Sequence, residues 1–265
     1  MQAFFKRMMQ EAQEVARRLP APRFYADCAE SLQHSLVIFE GHELVLRCRG
    51  HAERNLTDDF GHGVDHSRKV AVEGGAIIIE EQKKKGYRNH AEMVWMVVLA
   101  QIGGLLHDIR RRDKDHAKAG ASAADQLLKQ WNLGEEARRF VVLAISNHEA
   151  FVVPEPVVDS GVLNDRGQLI SDALYDADKF RWGPDNFTET LWLMAATRGA
   201  TPQSVLEHYS HGMKSIRNIK HTFRSSPGKR YGPEFIDQGL DLGRKIHERM
   251  IRAVSEARCE ELNDV

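Results

Sequence analysis

Cysteine is scarce in this 265-residue chain, and its three occurrences, Cys28, Cys48 and Cys259, are widely separated and never in a CxxC spacing. That argues against both a disulfide framework and a zinc ribbon. Charge of one sign is not in excess either, since 37 Lys and Arg stand against 38 Asp and Glu, a formal net charge of -1. A global electrostatic grip on nucleic acid is therefore disfavoured, and any anion recognition has to be local. Long hydrophobic runs are missing as well. The longest, Met93 to Leu106, has fourteen residues and suits a buried helix better than a membrane span.

The opening MQAFFKRMMQEAQEVARR is amphipathic and charged throughout, without the apolar core or small-residue cleavage site of a signal peptide. The expected location is the cytoplasm, where the glycosylation-type triplets Asn55-Leu56-Thr57 and Asn186-Phe187-Thr188 carry almost no weight. There is no GxxxxGK phosphate loop, no HExxH zinc-protease helix and no GxSxG nucleophile elbow. Nucleoside-triphosphatase, metallopeptidase and serine-hydrolase readings thus lack their minimum chemistry.

Alternating β-branched runs bounded by Asn-Gly or Asp-Gly turns are nearly absent, while helical periodicity dominates. The pattern predicts an all-α fold. Helices are expected over residues 2–18, in one or two pieces between Phe24 and Asn55, and over 66–85, 93–108, 116–131 and 135–149. Further helices are expected over 168–180, 185–198, 203–223 and 233–260. No repeat, low-complexity tract or composition shift marks a linker, so the expectation is one domain over 1–265. The segment FVVPEPVVDSGVLNDRG is the least regular part and reads as a lid or a partner surface. Residues 214–230, KSIRNIKHTFRSSPGKR, read as a helix followed by a flexible turn, with Lys214, Arg217, His221 and Arg224 near one helical face. Balanced overall charge and the lack of interleaved aromatics argue against polyanion binding there.

Six nitrogen and oxygen ligands fall in order along this framework: His66 in VDHSRKV, His107-Asp108 after GGLL, His116 in HAKAGA, His148 in ISNHE and an Asp in LYDADKF. With 13 His and 17 Asp in the chain, random order gives about 0.8 His-Asp pairs, so the pair alone is uninformative. Taken singly, His66 at a helix start reads more readily as a satisfied or solvent-facing histidine than as a ligand, His116 as part of a solvated charged surface, and His148 as an N–H donor to a helix-end carbonyl. Asp172, Asp176 and Asp178 are indistinguishable on residue type and spacing. As a set, however, imidazoles and carboxylates without thiolate suit divalent iron, manganese, nickel or zinc. His107-Asp108 also sits at a predicted helix C-terminus, whose negative potential favours a cation.

This ordered set resembles the HD superfamily of metal-dependent phosphohydrolases, whose pattern is His, then His-Asp, then a distant Asp on an all-α bundle. The resemblance is carried by DHSRKV, GGLLHDI and LYDADKF, and it covers residues 60–180, with helices at 185–260 expected to pack on that core. It selects Asp178 as the last ligand. HAKAGASAADQLL and FVVLAISNHE are similar to segments of the dinuclear branch, although only seven residues separate Asp108 from His116. The resemblance then implies two metal ions, with Asp108 bridging, His66, His107 and Asp178 on one, and His116 and His148 on the other. The second His and the Gly-Tyr-Pro element of the cyclic-dinucleotide phosphodiesterases are missing after His148.

On that resemblance the expected activity is hydrolysis of a phosphate ester or anhydride of a small molecule, such as a nucleotide, by water held between two divalent metals. Arg111 takes the place of the Lys in the family's His-Asp-Ile-Gly-Lys version, and Asp108 and Arg111 are the expected catalytic residues. Arg111, Lys179 and His62 are candidates for substrate binding, and Arg112 is a weaker one. His62 is equally a capping residue, and RRRDK equally a solvated turn. Two alternatives share the ligand pattern: a diiron oxygenase that cleaves a carbon bond with O2, and a non-catalytic nucleotide sensor. Neither membrane nor nucleic acid is an expected partner, and homo-oligomerisation is left open.

Overall fold

A computed structural model describes residues 3–56, 63–86, 89–152, 154 and 162–263. Twelve α-helices account for most of them: α1 (Ala3–Ala16), α2 (Arg23–Asp27), α3 (Ala29–Gly41), α4 (Glu43–Asn55), α5 (Val64–Lys84), α6 (His90–Leu106), α7 (His116–Gln130), α8 (Glu135–Ser146), α9 (Val162–Phe180), α10 (Leu191–Thr197), α11 (Pro202–Ile219) and α12 (Ser226–Asn263). A π-helical turn, Asn186–Thr190, leads into α10. The described residues contain no strand, so the fold is all-α, and no described helix is long and apolar enough to cross a membrane.

The central pair is α5 and α6, which make the most extensive helix–helix contact in the structure. Both have sequence reasons to form. In α5, Asp65 sits in the first turn and Lys83 and Lys84 in the last, matching the helix dipole at each end. In α6, the Asn89 side chain caps the Glu92 amide, and the following residues are buried almost without interruption from Met96 to Leu106. A connection of only Lys85 to Asn89 makes the two antiparallel. The start of α5 therefore meets the end of α6, which brings His66 to His107.

Close approach of these helices depends on small residues. A Cβ added to Gly104 of α6 would lie 2.6 Å from the Cα and 2.7 Å from the N of Ala71 on α5. No side chain fits between the two backbones. One turn further along α5, Gly74 lies against Ala173 and Ala177 of α9, the helix that carries Asp178. Helix α7 reaches the same region through Gly120, where an added Cβ would stand 3.1 Å from the His107 carbonyl oxygen. Helix α8 packs on α6, α7 and α9, and one apolar core runs from Phe5 to Ala253.

The helix positions follow the sequence pattern, with informative departures. Helix α8 stops at Ser146, leaving His148 beyond its end. Helix α11 stops at Ile219, so neither His221 nor Arg224 is on one helical face with Lys214 and Arg217. Helix α12 begins at Ser226 and not near Pro233, because a buried carboxylate fixes its start. Asp176 accepts hydrogen bonds from the Arg224 and Ser225 amides and from the Ser225 hydroxyl, while Ser225 Oγ accepts from the Gly228 amide. The expected flexible turn SSPGKR is thus a capped helix start. The segment FVVPEPVVDSGVLNDRG, expected as an irregular lid or partner surface, is helical from Val162, where α9 begins six residues before its expected start, while residues 153 and 155–161 lie outside the described residues.

Gly104→Ala is expected to destabilise the protein by about 3 kcal/mol through overpacking between α5 and α6. It should also lower metal retention, because His66 and His107 separate with the helices. Gly41→Ala, where an added Cβ meets nothing within 4 Å, should change stability by less than about 1 kcal/mol. Thermal melts and metal analysis of the two variants, compared with the parent chain, check this.

Candidate metal centre

Four imidazoles stand in a row across the ends of α5, α6, α7 and α8. Ring centroids are 5.2 Å apart from His66 to His107, 5.2 Å from His107 to His148 and 5.1 Å from His148 to His116. Two of the rings are aimed by backbone. His107 Nδ1 lies 2.8 Å from the Gly104 carbonyl oxygen and His148 Nδ1 lies 2.6 Å from that of Ile145. Each carbonyl holds the proton on Nδ1, which leaves Nε2 facing inward as a ligand atom. His116 is aimed by a carboxylate, with Nδ1 3.0 Å from Glu149 Oε1.

Asp108 divides its two oxygens between the ends of this row. Oδ2 lies 3.3 Å from His107 Nε2 and 3.9 Å from His66 Nε2, whereas Oδ1 lies 3.7 Å from His148 Nε2 and 3.9 Å from His116 Nε2. Asp178 closes the first end, its Oδ1 being 3.3 Å from His66 Nε2 and 3.7 Å from His107 Nε2. The result is two groups of three donors, His66–His107–Asp178 and Asp108–His116–His148, each with ligand atoms within 4.8 Å of one another. All six residues expected as ligands are brought together, including His116 across its short spacer. The candidate ligand Asp178 is also separated here from Asp172, which bonds Gln168, and from Asp176, which caps α12.

The electrostatics fit a cationic occupant. Asp108 Oδ1 and His148 Nε2 are buried without a hydrogen-bond partner, a costly arrangement for a carboxylate and an imidazole unless a cation joins them. Burial alone would raise the Asp108 and Asp178 pKa values, yet both are held well below the ordinary range, Asp108 chiefly by His107 and Asp178 chiefly by Lys179. Both are ionised. Burial lowers His66, while His107 is raised against its burial by Asp108, by Asp178 and by the Gly104 carbonyl. His66 Nε2 and His107 Nε2 are 3.2 Å apart, so a proton on His107 bridges the two rings and supplies the positive charge the carboxylates require. Burial, followed by Arg111 and His148, pushes His116 down to about 4. It is neutral near pH 7, with a lone pair to offer.

Arg111 stands inside the second group. One guanidinium nitrogen lies 2.6 Å from His116 Nε2 and 3.6 Å from Asp108 Oδ1, so it engages two atoms that a cation would use. Side-chain exposure rises from 0% at His107 and 2% at His148 to 15% at His116 and 32% at Arg111. Among these residues, solvent access is greatest on the side of the second group. There a cleft of about 760 Å³ is lined by Arg111, Arg112, Asp113, His116, Met194, Thr197 and Arg198. Lys179 lies elsewhere: buried, with Nζ 2.5 Å from Asp178 Oδ2 and 5.1 Å from the Tyr175 ring centroid. His62 lies outside the described residues.

Two contributors were not singled out from sequence. Glu149 had a signal, since it directly follows His148 and both border the end of α8. Arg198 had none, because only the path of the chain after residue 180 brings it to the cleft. Arg224, seen in sequence as part of a basic stretch, instead stacks over Tyr175 at 3.5 Å from the ring centroid and donates to the Asn147 carbonyl oxygen beside His148.

No protein-family model, curated protein or solved structure matches the chain. What the geometry itself establishes is a candidate metal-binding cluster of histidines and aspartates with an HD-like arrangement. Because Arg111 and a cation compete for the same donors, Arg111→Met should tighten metal binding at the second group about tenfold, as removal of one nearby positive charge implies. Glu149→Ala should weaken it about 10- to 100-fold by freeing the His116 ring. Titration of both variants with Mn2+ by calorimetry reads these opposite signs, and no change in either would show that His116 takes no part in binding.

Proposed function

We propose that this protein is a metal-dependent phosphohydrolase of the HD type, acting on a small phosphorylated molecule with two divalent cations in the centre. The division of Asp108 carries the reading: the carboxylate turns Oδ2 toward His107 and His66 and Oδ1 toward His148 and His116. A carboxylate so placed is suited to bridge a pair of ions. His66, His107 and Asp178 would hold the first, and His116 and His148 the second. Divalent cations in such a site neutralise phosphoryl charge and acidify water near neutral pH.

The remaining work falls to the chain. A neutral imidazole at His116 keeps that donor free of a competing proton. Arg111, Arg112 and Arg198 converge on the cleft next to it, and planar guanidinium groups match phosphate oxygens with paired hydrogen bonds. Arg111, which lines that cleft, would be placed to pair with a substrate phosphate. Lys179 is directed at Asp178, where it holds the carboxylate in its ionised, ligating form. A nucleotide is one member of the substrate class, as is any small phosphate monoester.

Protein purified without oxygen should contain about two metal ions per chain, falling to about one in His116→Ala. It should hydrolyse p-nitrophenyl phosphate at the same rate with and without O2. Turnover that requires O2 would move the reading to a diiron oxygenase. Tight binding of nucleotide without turnover of any phosphate ester would move it to a sensor, and protein without metal would remove both enzymatic readings.

A further inference from the structure

The cationic cleft has an apolar neighbour. A pocket of about 330 Å³ lies among the π-helical turn, α10 and α11, with Phe187, Leu191, Val205, Tyr209, Met213 and Ile216 on its walls. Met194 and Arg198 line both this pocket and the cleft that holds His116 and Arg111. The two spaces therefore share a wall, and helix α10 forms it.

Local structure explains how one short helix serves both. Leu191, Met194, Ala195 and Arg198 recur at helical spacing and make one stripe toward the pocket, while Thr197 faces the cleft with Met194 and Arg198. The helix ends in a left-handed turn at Gly199, φ 64°, with the Ala200 amide donating to the Ala195 carbonyl and the Gly199 amide to that of Ala196. That Schellman ending fixes the backbone of Arg198 where the two spaces meet. The pocket is at the size of small-ligand sites, and its lining is mainly aliphatic and aromatic, without charged side chains other than Arg198.

We infer that the substrate is amphipathic: a phosphate ester whose alkyl or aryl group lies in the α10–α11 pocket while its phosphate crosses Arg198 to Arg111 and the second donor group. This deepens the phosphohydrolase reading and rests on it. The charge complementarity runs in the right order, from an uncharged pocket, across a guanidinium at the border, to two more guanidiniums and the candidate metal ligands. An apolar group there replaces water next to Phe187, Tyr209 and Met213, which favours binding in proportion to the area covered. A nucleobase, by contrast, would have few partners for its polar edge, since Asn186, Ser204 and His208 are the polar side chains of the lining besides Arg198.

The test uses the full chain supplied with Mn2+ and a series of n-alkylphosphonates from methyl to hexyl, with affinities measured by calorimetry. Gly212 gives a variant that spares the fold, because it lines the pocket and a Cβ added there meets nothing within 4 Å. In the parent chain, affinity should rise roughly fourfold for each methylene that enters the pocket. In Gly212→Trp, which fills the space, the ratio of hexyl to methyl affinity should collapse to less than about twofold. A flat chain-length profile in the parent, or a steep one that survives Gly212→Trp, would overturn the inference. So would a nucleoside monophosphate that binds more tightly than hexylphosphonate and loses affinity equally in the variant. Parallel assays with ethyl and hexyl phosphate separate the two levels. Hydrolysis of both at equal kcat/KM removes the apolar subsite and leaves the phosphohydrolase standing, whereas a steep, Trp-sensitive binding profile with neither ester hydrolysed keeps the subsite and removes the phosphohydrolase.

Discussion

A carboxylate enclosed in the middle of a helical bundle is the constraint around which this structure is arranged. Asp108 is almost fully buried, and one of its oxygens has no hydrogen-bond donor. An ionised carboxylate taken out of water costs several kcal/mol unless charge and hydrogen bonds replace its hydration. Asp108 and Asp178 are compensated from three directions: the raised proton affinity of His107, the Lys179 ammonium on Asp178, and the Arg111 guanidinium on the outer side. These are the places from which a metal-binding site gathers positive charge. A cation held by these donors would supply the same compensating charge.

Bundle packing converts that electrostatic demand into geometry. The donors come from the ends of helices, where short connections and cap positions leave side chains free to point inward. Helix ends are also where carbonyls lack intrahelical partners, and two of those carbonyls, at Gly104 and Ile145, set the tautomer of the imidazole three residues on. Glycine serves the same end: Gly104 lets α6 press on α5, and Gly120 lets α7 press on the His107 carbonyl. Packing, ring orientation and donor position are therefore one problem solved together, with the missing side chain at residue 104 common to all three.

Much of this was legible in the sequence. Periodicity located α1, α5, α6, α7 and α8 closely, because each carries one dominant apolar pattern and a clear stop. Helix α12 was placed late because Pro233 is a strong local start signal, while the true start depends on Asp176, fifty residues earlier and hidden from any local pattern. The donors could be picked out by residue type and order, and the family resemblance pointed to Asp178, which residue type and spacing alone leave level with Asp172 and Asp176. Only packing shows that Asp176 is spent on amides of α12 and Asp172 on Gln168. Arg198 was invisible for a related reason, since an isolated arginine at a helix end means nothing until the chain returns it to the site.

The C-terminal helices are thus more than a covering for the metal-binding core. Arg224 reaches the Asn147 carbonyl beside His148, Asp176 ties the start of α12 to the helix that carries Asp178, and α10 supplies the wall of the cleft. A donor set alone selects cations and leaves the substrate undefined. The walls of the cleft therefore matter as much as the donors: Arg111, Arg112 and Asp113 border it beside His116, while Met194, Thr197 and Arg198 border it from α10 and its end without belonging to either donor group.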